Sequence, residues 1–270
     1  MAGITQRMAE LTSSNTKLSL DVSSLTSEVS SVLNSMHSEL KALPSRVNGM
    51  MDAHHYVSHQ GDDVTADGTS AKPFKSIKRA IESTPENCVC TIQLIPDGKS
   101  TPFVIDELID LGRRAVEIRF VGNEIHLDDK ITTVFNCAPH GSLQFSNWGG
   151  ASGSISMSSN KTLMYAKAGA NLHIGGYEST FLDITGNAHL TLMQGSYTSA
   201  RGISSISLSR FRLKNAEAPA GKKVTAFASR YAGSCFVNNW QSTFPEGVFT
   251  YSESSNQIHT VFNSLHVVTT

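Results

Sequence analysis

The sequence predicts a mainly β protein carried on an N-terminal coiled-coil helix. Three observations predict it: a heptad seam over residues 4–36, short alternating apolar stretches from Ala115 to Phe211, and a turn-rich composition with only 17% charged residues. Abundant Ser, Thr, Gly and Asn suit many short strands better than a helical enzyme.

The seam comes first. Apolar side chains fall at Ile4, Met8, Leu11, Leu18, Val22, Leu25, Val29, Val32 and Met36, in steps alternating between four and three, and Asn15 alone breaks the register. Ile4, Leu11, Leu18, Leu25 and Val32 hold one core position, and Met8, Asn15, Val22, Val29 and Met36 the other. One helix cannot bury so narrow a stripe, so the pattern predicts a parallel homo-oligomeric coiled coil. The alternative is an amphipathic helix packed on its own domain. The Ser, Thr and charged flanks weaken it, because they leave a two-position stripe rather than a broad face. An Asn at a core position is a device for fixing register and oligomeric state. The β-branched and Leu choices lean towards two strands, but the heptads alone leave dimer and trimer both open. Beyond Met36 the apolar steps run to Leu40, Leu43 and Val47, a stutter that marks a transition. Pro44 and then Asn48-Gly49 predict that the stalk ends near residue 48.

The 270-residue chain as a whole carries no charge signature, since its 22 Lys and Arg stand against 23 Asp and Glu. With no basic block, nucleic acid is a poor candidate partner. The four cysteines, Cys88, Cys90, Cys137 and Cys235, form no pair of metal-binding doublets. Cys88 and Cys90 fall on one side of a strand and read as buried thiols rather than a disulfide. The chain starts without a leader pattern and holds no apolar run of bilayer length, so synthesis in a cytoplasm without membrane insertion is expected. No cofactor is implied.

Residues from Met50 to Lys72 read as an irregular connector. His54, His55 and His59 stand there beside Asp62, Asp63 and Asp67; a metal site would form where copies meet, but a loop is the preferred reading, since the spacing fits no helix or strand face, and no metal is assigned. A short helix is predicted from Pro73-Phe74, with Phe74, Ile77, Lys78, Ala80 and Ile81 in helical period, closing at Thr84-Pro85-Glu86-Asn87. A strand follows from Cys88 to Pro96. Further alternating strands are predicted at Val116–Phe120, Ile125–Leu127, Ile131–Val134, Leu143–Phe145, Ile155–Met157, Leu172–Ile174, Leu190–Leu192 and Ile206–Leu208. Turn pairs such as Gly122-Asn123, Gly149-Gly150 and Gly175-Gly176 separate them. Residues 170–174 (Ala-Asn-Leu-His-Ile) echo residues 188–192 (Ala-His-Leu-Thr-Leu), which suggests stacked rungs of about that size. A β-sandwich offers similar short strands. After Asn215 the texture changes, with Ala218-Pro219-Ala220-Gly221 as a break before an aromatic-rich tail.

The stretch Tyr56-Val57-Ser58, Gly61-Asp62-Asp63, Asp67-Gly68-Thr69, Pro73-Phe74-Lys75-Ser76-Ile77 and Ala80-Ile81 resembles the entry segment of right-handed parallel β-helix proteins. That segment is familiar from bacteriophage tail fibres and tailspikes and from the wider pectate-lyase-like group. The resemblance implies an extended start, an Asp-Gly-Thr loop and a helix that caps the solenoid. With the heptads in front, the whole resembles a phage tail fibre or receptor-binding protein. The implied fold is a trimeric coiled-coil helix, then a single-stranded right-handed parallel β-helix and a β-rich C-terminal tip. Its segments are residues 1–48 (stalk), 49–98 (connector and entry cap), 99–214 (shaft) and 215–270 (tip). The trimer comes from the resemblance.

Candidate chemistry is sparse. The carboxylates Asp106 with Glu107, Asp128 with Asp129, and Glu178 with Asp183 are the possible acid–base pairs of a polysaccharide-cleaving tailspike. Adjacent strand residues point to opposite faces, so the doublets do not converge, and solvated carboxylates are the simpler reading. No Gly-Xaa-Ser-Xaa-Gly elbow and no phosphate loop occurs. His173 and His189 occupy matching places in the internal echo, as a surface row or as hydrogen-bonded structural residues. Trp148, Tyr165, Tyr177, Tyr197, Trp240 and Tyr251 are the aromatics suited to saccharide or protein contact. The resemblance places receptor contact at the distal end, hence at Trp240 and Tyr251. It implies a non-enzymatic virion tail component, made in the host cytoplasm, that adsorbs to a bacterial surface polysaccharide or outer-membrane protein and attaches to a baseplate or tail protein. A small depolymerase and a purely structural or capsid-decorating fibre are the alternatives.

Overall fold

The computed structural model describes residues 2–98, 101–167, 169–176, 180–186, 188–195, 203–213, 224–228, 233–240, 249–250 and 258–265. The chain forms two compact units, Met1–Gly49 and Met50–Thr270. It is mainly β, with an N-terminal helix and a parallel β-solenoid.

Helix α1 (Ala2–Met51) runs for 50 residues. Ser and Thr, poor helix formers, are accommodated by back-bonding: Thr12, Thr16, Ser23, Thr26 and Ser30 each donate a hydroxyl to the carbonyl four residues earlier, at 2.8–2.9 Å. The expected stop near residue 48 is not where the helix ends, for it crosses Pro44 and Asn48-Gly49. A proline removes one helical bond, and intact turns on either side can carry the helix past it. The nine apolar seam residues are 50–70% exposed in the single chain.

In the second unit the chain visits three sheets in rotation, and every strand pairing is parallel. The eight-stranded sheet stacks β1 (Asp52–Val57), β2 (Val89–Leu94), β5 (Ala115–Phe120), β8 (Ser142–Asn147), β11 (Asn171–Gly175), β14 (Ile203–Ser209), β17 (Gly233–Trp240) and β19 (Ile258–Leu265). The five-stranded sheet stacks β3 (Phe103–Ile105), β6 (Glu124–Leu127), β9 (Ser154–Met157), β12 (Leu182–Gly186) and β15 (Phe211–Leu213). The six-stranded sheet stacks β4 (Ile109–Gly112), β7 (Thr133–Cys137), β10 (Lys161–Ala166), β13 (Leu190–Gly195), β16 (Val224–Ala228) and β18 (Phe249–Thr250).

Parallel register turns the alternation of each strand into columns. Cys90, Val116, Leu143, Leu172 and Ile206 form one inward column, and Ile92, Ile118, Phe145, Ile174 and Leu208 the next. Phe145 packs edge-on against Phe135 of the six-stranded sheet, with centroids 6.0 Å apart, so the columns of different sheets meet in one core. Cys90 and Cys137 lie in that core, and burial pushes their thiols up to about 11 and about 12, which keeps them protonated and inert. Cys88 instead lies just before β2 and is partly exposed.

The rungs are longer than the internal echo suggested. Leu172 stacks on Leu143 and Ile206, not on Leu190, because β11 and β13 belong to different sheets of one rung. The stacking interval shows instead in contacts such as His126 with Ser156, thirty residues apart. A threonine row marks it as well: Thr133, Thr162, Thr191, Thr225 and Thr250 occupy one register line of the six-stranded sheet. β-branched residues favour such pleated stacking.

Corners use polar residues. Asn147 is buried at the end of β8, where it donates to the Thr180 hydroxyl (3.2 Å) and the Phe181 carbonyl (2.9 Å) and accepts from the Gly153 amide (2.9 Å). Lys161 has a fully buried side chain whose ammonium donates to the Ile131 carbonyl (2.7 Å) and the Ser159 hydroxyl (2.5 Å). These bonds satisfy backbone groups that a turning coil takes away from water.

At the start of the solenoid, α2 (Ile77–Ser83) buries Ile77, Ala80 and Ile81 in the same core as β1 and β2. It begins three residues later than predicted. Phe74 bridges back to Val57, Asp63 accepts from the Lys75 and Ser76 amides (2.7 and 3.0 Å), and Ser76 caps the Arg79 amide (3.1 Å). Asp62 and Asp67 close their own turns on Val64 and Thr69. Gly61 is required because a Cβ there would lie 2.2 Å from the Phe74 carbonyl oxygen.

Asn147→Ala removes partners from two buried backbone groups and is expected to cost about 1–3 kcal/mol. Thermal unfolding followed by circular dichroism should show the corresponding drop in midpoint, while Gln144→Ala on the outer face leaves it nearly unchanged.

Candidate functional site

Because inward residues of each strand are apolar, chemistry is left to the outward rows. On the eight-stranded sheet these rows are unusually polar. One runs His54, Thr91, Glu117, Gln144, His173 and Ser207, and the next Tyr56, Gln93, Arg119, Ser146, Gly175 and Ser209.

Glu117 is the centre. Its carboxylate receives the Arg119 guanidinium at 2.7 Å and the Ser146 hydroxyl at 2.8 Å, with the Gln144 amide at 3.5 Å. Burial alone would raise its pKa, but the bonds from Arg119 and Ser146 and the charges of Arg119 and His173 outweigh it, so the carboxyl lies below its ordinary value. Arg119 also stacks on Trp148, 4.5 Å from the ring centroid, and Trp148 remains 46% exposed. His173, mostly buried, is held below its ordinary value by desolvation, against the pull of Glu117. Its ring covers Gly175, where a Cβ would stand 2.8 Å from the imidazole Nε2.

This constellation was not singled out from the sequence, which was searched for carboxylate doublets. The signal was Glu117-Xaa-Arg119 inside an alternating strand, a spacing that puts both side chains on one face. The doublets serve elsewhere. Asp106 pairs with Lys130 (3.5 Å), Glu107 with Lys78 (2.7 Å), and Asp129 accepts from Ser158 (2.8 Å). Asp128 accepts from the Lys130 amide (2.9 Å). Asp183 is not solvated as expected: it is buried and takes both arms of Arg212 at 2.6 and 3.0 Å. Glu178 lies outside the described residues.

The histidines also separate. His54 stacks on Tyr56, His55 bonds the Thr84 and Ser83 hydroxyls, and His59 stacks on Phe103 and bonds the Thr101 carbonyl (3.1 Å). Among the described residues no three His, Cys, Asp or Glu side chains gather as a metal site. His59, Asp63, Lys75 and Ser76 line a cleft of about 400 Å³ beside the cap. His173 and His189 do not form a row: His173 lies on the eight-stranded sheet, whereas the His189 amide donates to the Asn160 side chain at the six-stranded one. Of the aromatics, Tyr165 faces out beside Asn136 and Gln194, and the Trp240 backbone pairs with Ser209 and Leu265, on the register line that holds Arg119. Tyr177, Tyr197 and Tyr251 lie outside the described residues. No helix among the described residues is long and apolar enough to cross a membrane.

A glycosidic acid must stay protonated near neutrality, and Glu117 is held ionised. The other outward carboxylate among the described strands of this sheet is Asp52, on the neighbouring row with Val89 and separated from Glu117 by all of β2, about 10 Å across the strands. The arrangement is suited to accepting and donating hydrogen bonds beside an aromatic face.

The class this fold defines is a parallel β-solenoid protein with an N-terminal helix. No family model matches the chain, and no curated protein matches it. Among solved structures it is similar to a rhamnogalacturonan lyase at 14% identity and a TM-score of 0.32, over 77% of this chain and 60% of that one. A likeness so shallow carries no inference about chemistry.

His173 and Glu117 set a pH expectation. Both have folded values below their ordinary ones, so protons bind the unfolded chain more readily and stability falls as pH falls. For His173 the loss begins as pH drops through 6.5, its ordinary value, and for Glu117 only below 4.5. In thermal melts between pH 7.5 and 5, His173→Gln should flatten the decline relative to the parent chain.

Proposed function

We propose that the chain is a homotrimeric fibre protein of the phage tail type, whose α1 helices form a coiled-coil stalk and whose solenoid, right-handed as crossover connections nearly always are, presents surfaces for adsorption. One observation carries this reading: nine apolar side chains in heptad register lie 50–70% exposed along α1. Fully burying one such side chain contributes about 1.5–3 kcal/mol, and a seam of them needs neighbouring copies to be buried. Asn15 in the seam sets the register. Trimerisation multiplies weak contacts with a repetitive envelope, whether bacterial surface polysaccharide or outer-membrane protein, and the other attachment is to a baseplate or tail protein. Trp240 and Tyr251 are the contact residues proposed for the tip, residues 215–270.

Binding is favoured over cleavage at the Glu117 face, because the carboxylate there is ionised and no second outward carboxylate stands at catalytic distance among the described residues of that sheet. Light scattering coupled to size exclusion tests the stalk. The full chain should elute at three times the chain mass, and Leu18→Asn with Val22→Asn should dissociate it or sharply lower its melting temperature. A monomeric full-length chain sinks the fibre reading. Deleting residues 215–270 should abolish adsorption to host cells while the shortened chain still elutes at three times its own mass.

A further inference from the structure

We infer that the outer face of the eight-stranded sheet at Trp148, Glu117 and Ser146 is a saccharide-binding subsite, distinct from the proposed tip contacts. The inference rests on the adsorption reading only for the source of the sugar; the site itself is argued from its geometry.

Trp148 stands where the chain leaves β8, and Arg119 lies against one face of its ring at 4.5 Å. The ring is 46% exposed, in a solenoid whose other large outward residues are mostly polar. An aromatic surface steadied by a cation is a stacking partner for the apolar face of a pyranose. Beside it, Glu117 offers an ionised carboxylate to sugar hydroxyls. Ser146 and Gln144, already turned towards that carboxylate, supply a hydroxyl and an amide.

Charge selects the class. Glu117 and Arg119 neutralise each other at 2.7 Å, and desolvation favours the uncharged form of His173. The face therefore has no net field to attract a phosphate or a polyanion, whereas paired charges suit the vicinal hydroxyls of a neutral sugar. The neighbouring surface is polar: Ser146, Gly175 and Ser209 lie side by side on successive strands, with the His173 ring over Gly175. Adjacent strands are about 4.8 Å apart, close to the length of one pyranose unit, so a chain laid across the strands meets an equivalent step at each rung. The ligand is accordingly a neutral oligosaccharide running along the solenoid, with one ring stacked on Trp148.

The test uses the full chain in a Trp240→Phe background. The sequence contains two tryptophans, so emission then reports Trp148 alone. Cellohexaose, maltohexaose, chitohexaose and the polysaccharide released from Gram-negative lipopolysaccharide by mild acid are each titrated. At least one should shift the Trp148 emission saturably, and Glu117→Gln should weaken that binding about tenfold, the scale of one lost polar or stacking contact. In calorimetry Trp148→Ala should lower affinity similarly, while Asn136→Ala on the six-stranded sheet leaves it unchanged. No emission change with any of the four probes, or calorimetric binding indifferent to both Trp148→Ala and Glu117→Gln, overturns the proposal. The mass of the same sample separates the two readings: a trimer without saccharide binding refutes the subsite alone, and a monomer that binds refutes the fibre alone.

Discussion

In-register parallel stacking is the constraint on which the solenoid depends. No rung has a core of its own. Leu143 is buried because Val116 lies on one side of it and Leu172 on the other, and the same holds along every inward column. An apolar position therefore counts only when the next rung repeats it, and the first rung needs a substitute neighbour. Helix α2 supplies that neighbour with Ile77, Ala80 and Ile81. The turns before it are held by Asp62, Asp63 and Asp67, so the acidic residues that a metal site would use are spent on backbone amides.

Stacking also decides where polar groups go. A coil with three sheets must turn sharply within each rung, and each turn strands backbone donors and acceptors away from water. Asn147 and Lys161 reach into those corners and bond them, and Asp183 with Arg212 closes a further point on the five-stranded sheet. Outward rows escape this demand. They are free to carry a cluster such as Glu117, Arg119 and His173, in which burial lowers the His173 value and the bonds from Arg119 and Ser146 outweigh burial at Glu117. The solenoid thus separates a repetitive interior from a face that can vary, and the proposed functions occupy that face and the helical seam.

Much of this was legible in the chain. The strands around Val116–Phe120, Leu143–Phe145 and Leu172–Ile174 follow from plain alternation, because in each one side is buried in the core and the other is not. Strand β10 was missed for a physical reason. Leu163 and Met164 are both buried, as are Val134 with Phe135 and Leu192 with Met193, and the ladder passes over Leu163 between Thr162 and Met164. A rule of period two fails where two neighbours are buried together. Lys161, at the start of the same strand, reads as solvent-facing until the corner around it is known. The echo between residues 170–174 and 188–192 misled about rung length, because strands of different sheets share the same alternation.

The sequence by itself determined the long helix with its apolar seam, the β character of the rest and the cap motif, all of which depend on neighbours within a few residues. Only the tertiary structure decided which strands stack, and hence that Glu117, Ser146, His173 and Trp148 share one face. Ser146 and Trp148 are two residues apart on one face, but Glu117, Ser146 and His173 lie on three different strands that no local period links. They meet because three sheets share one rung length, and that length is set by the corners rather than by the strands.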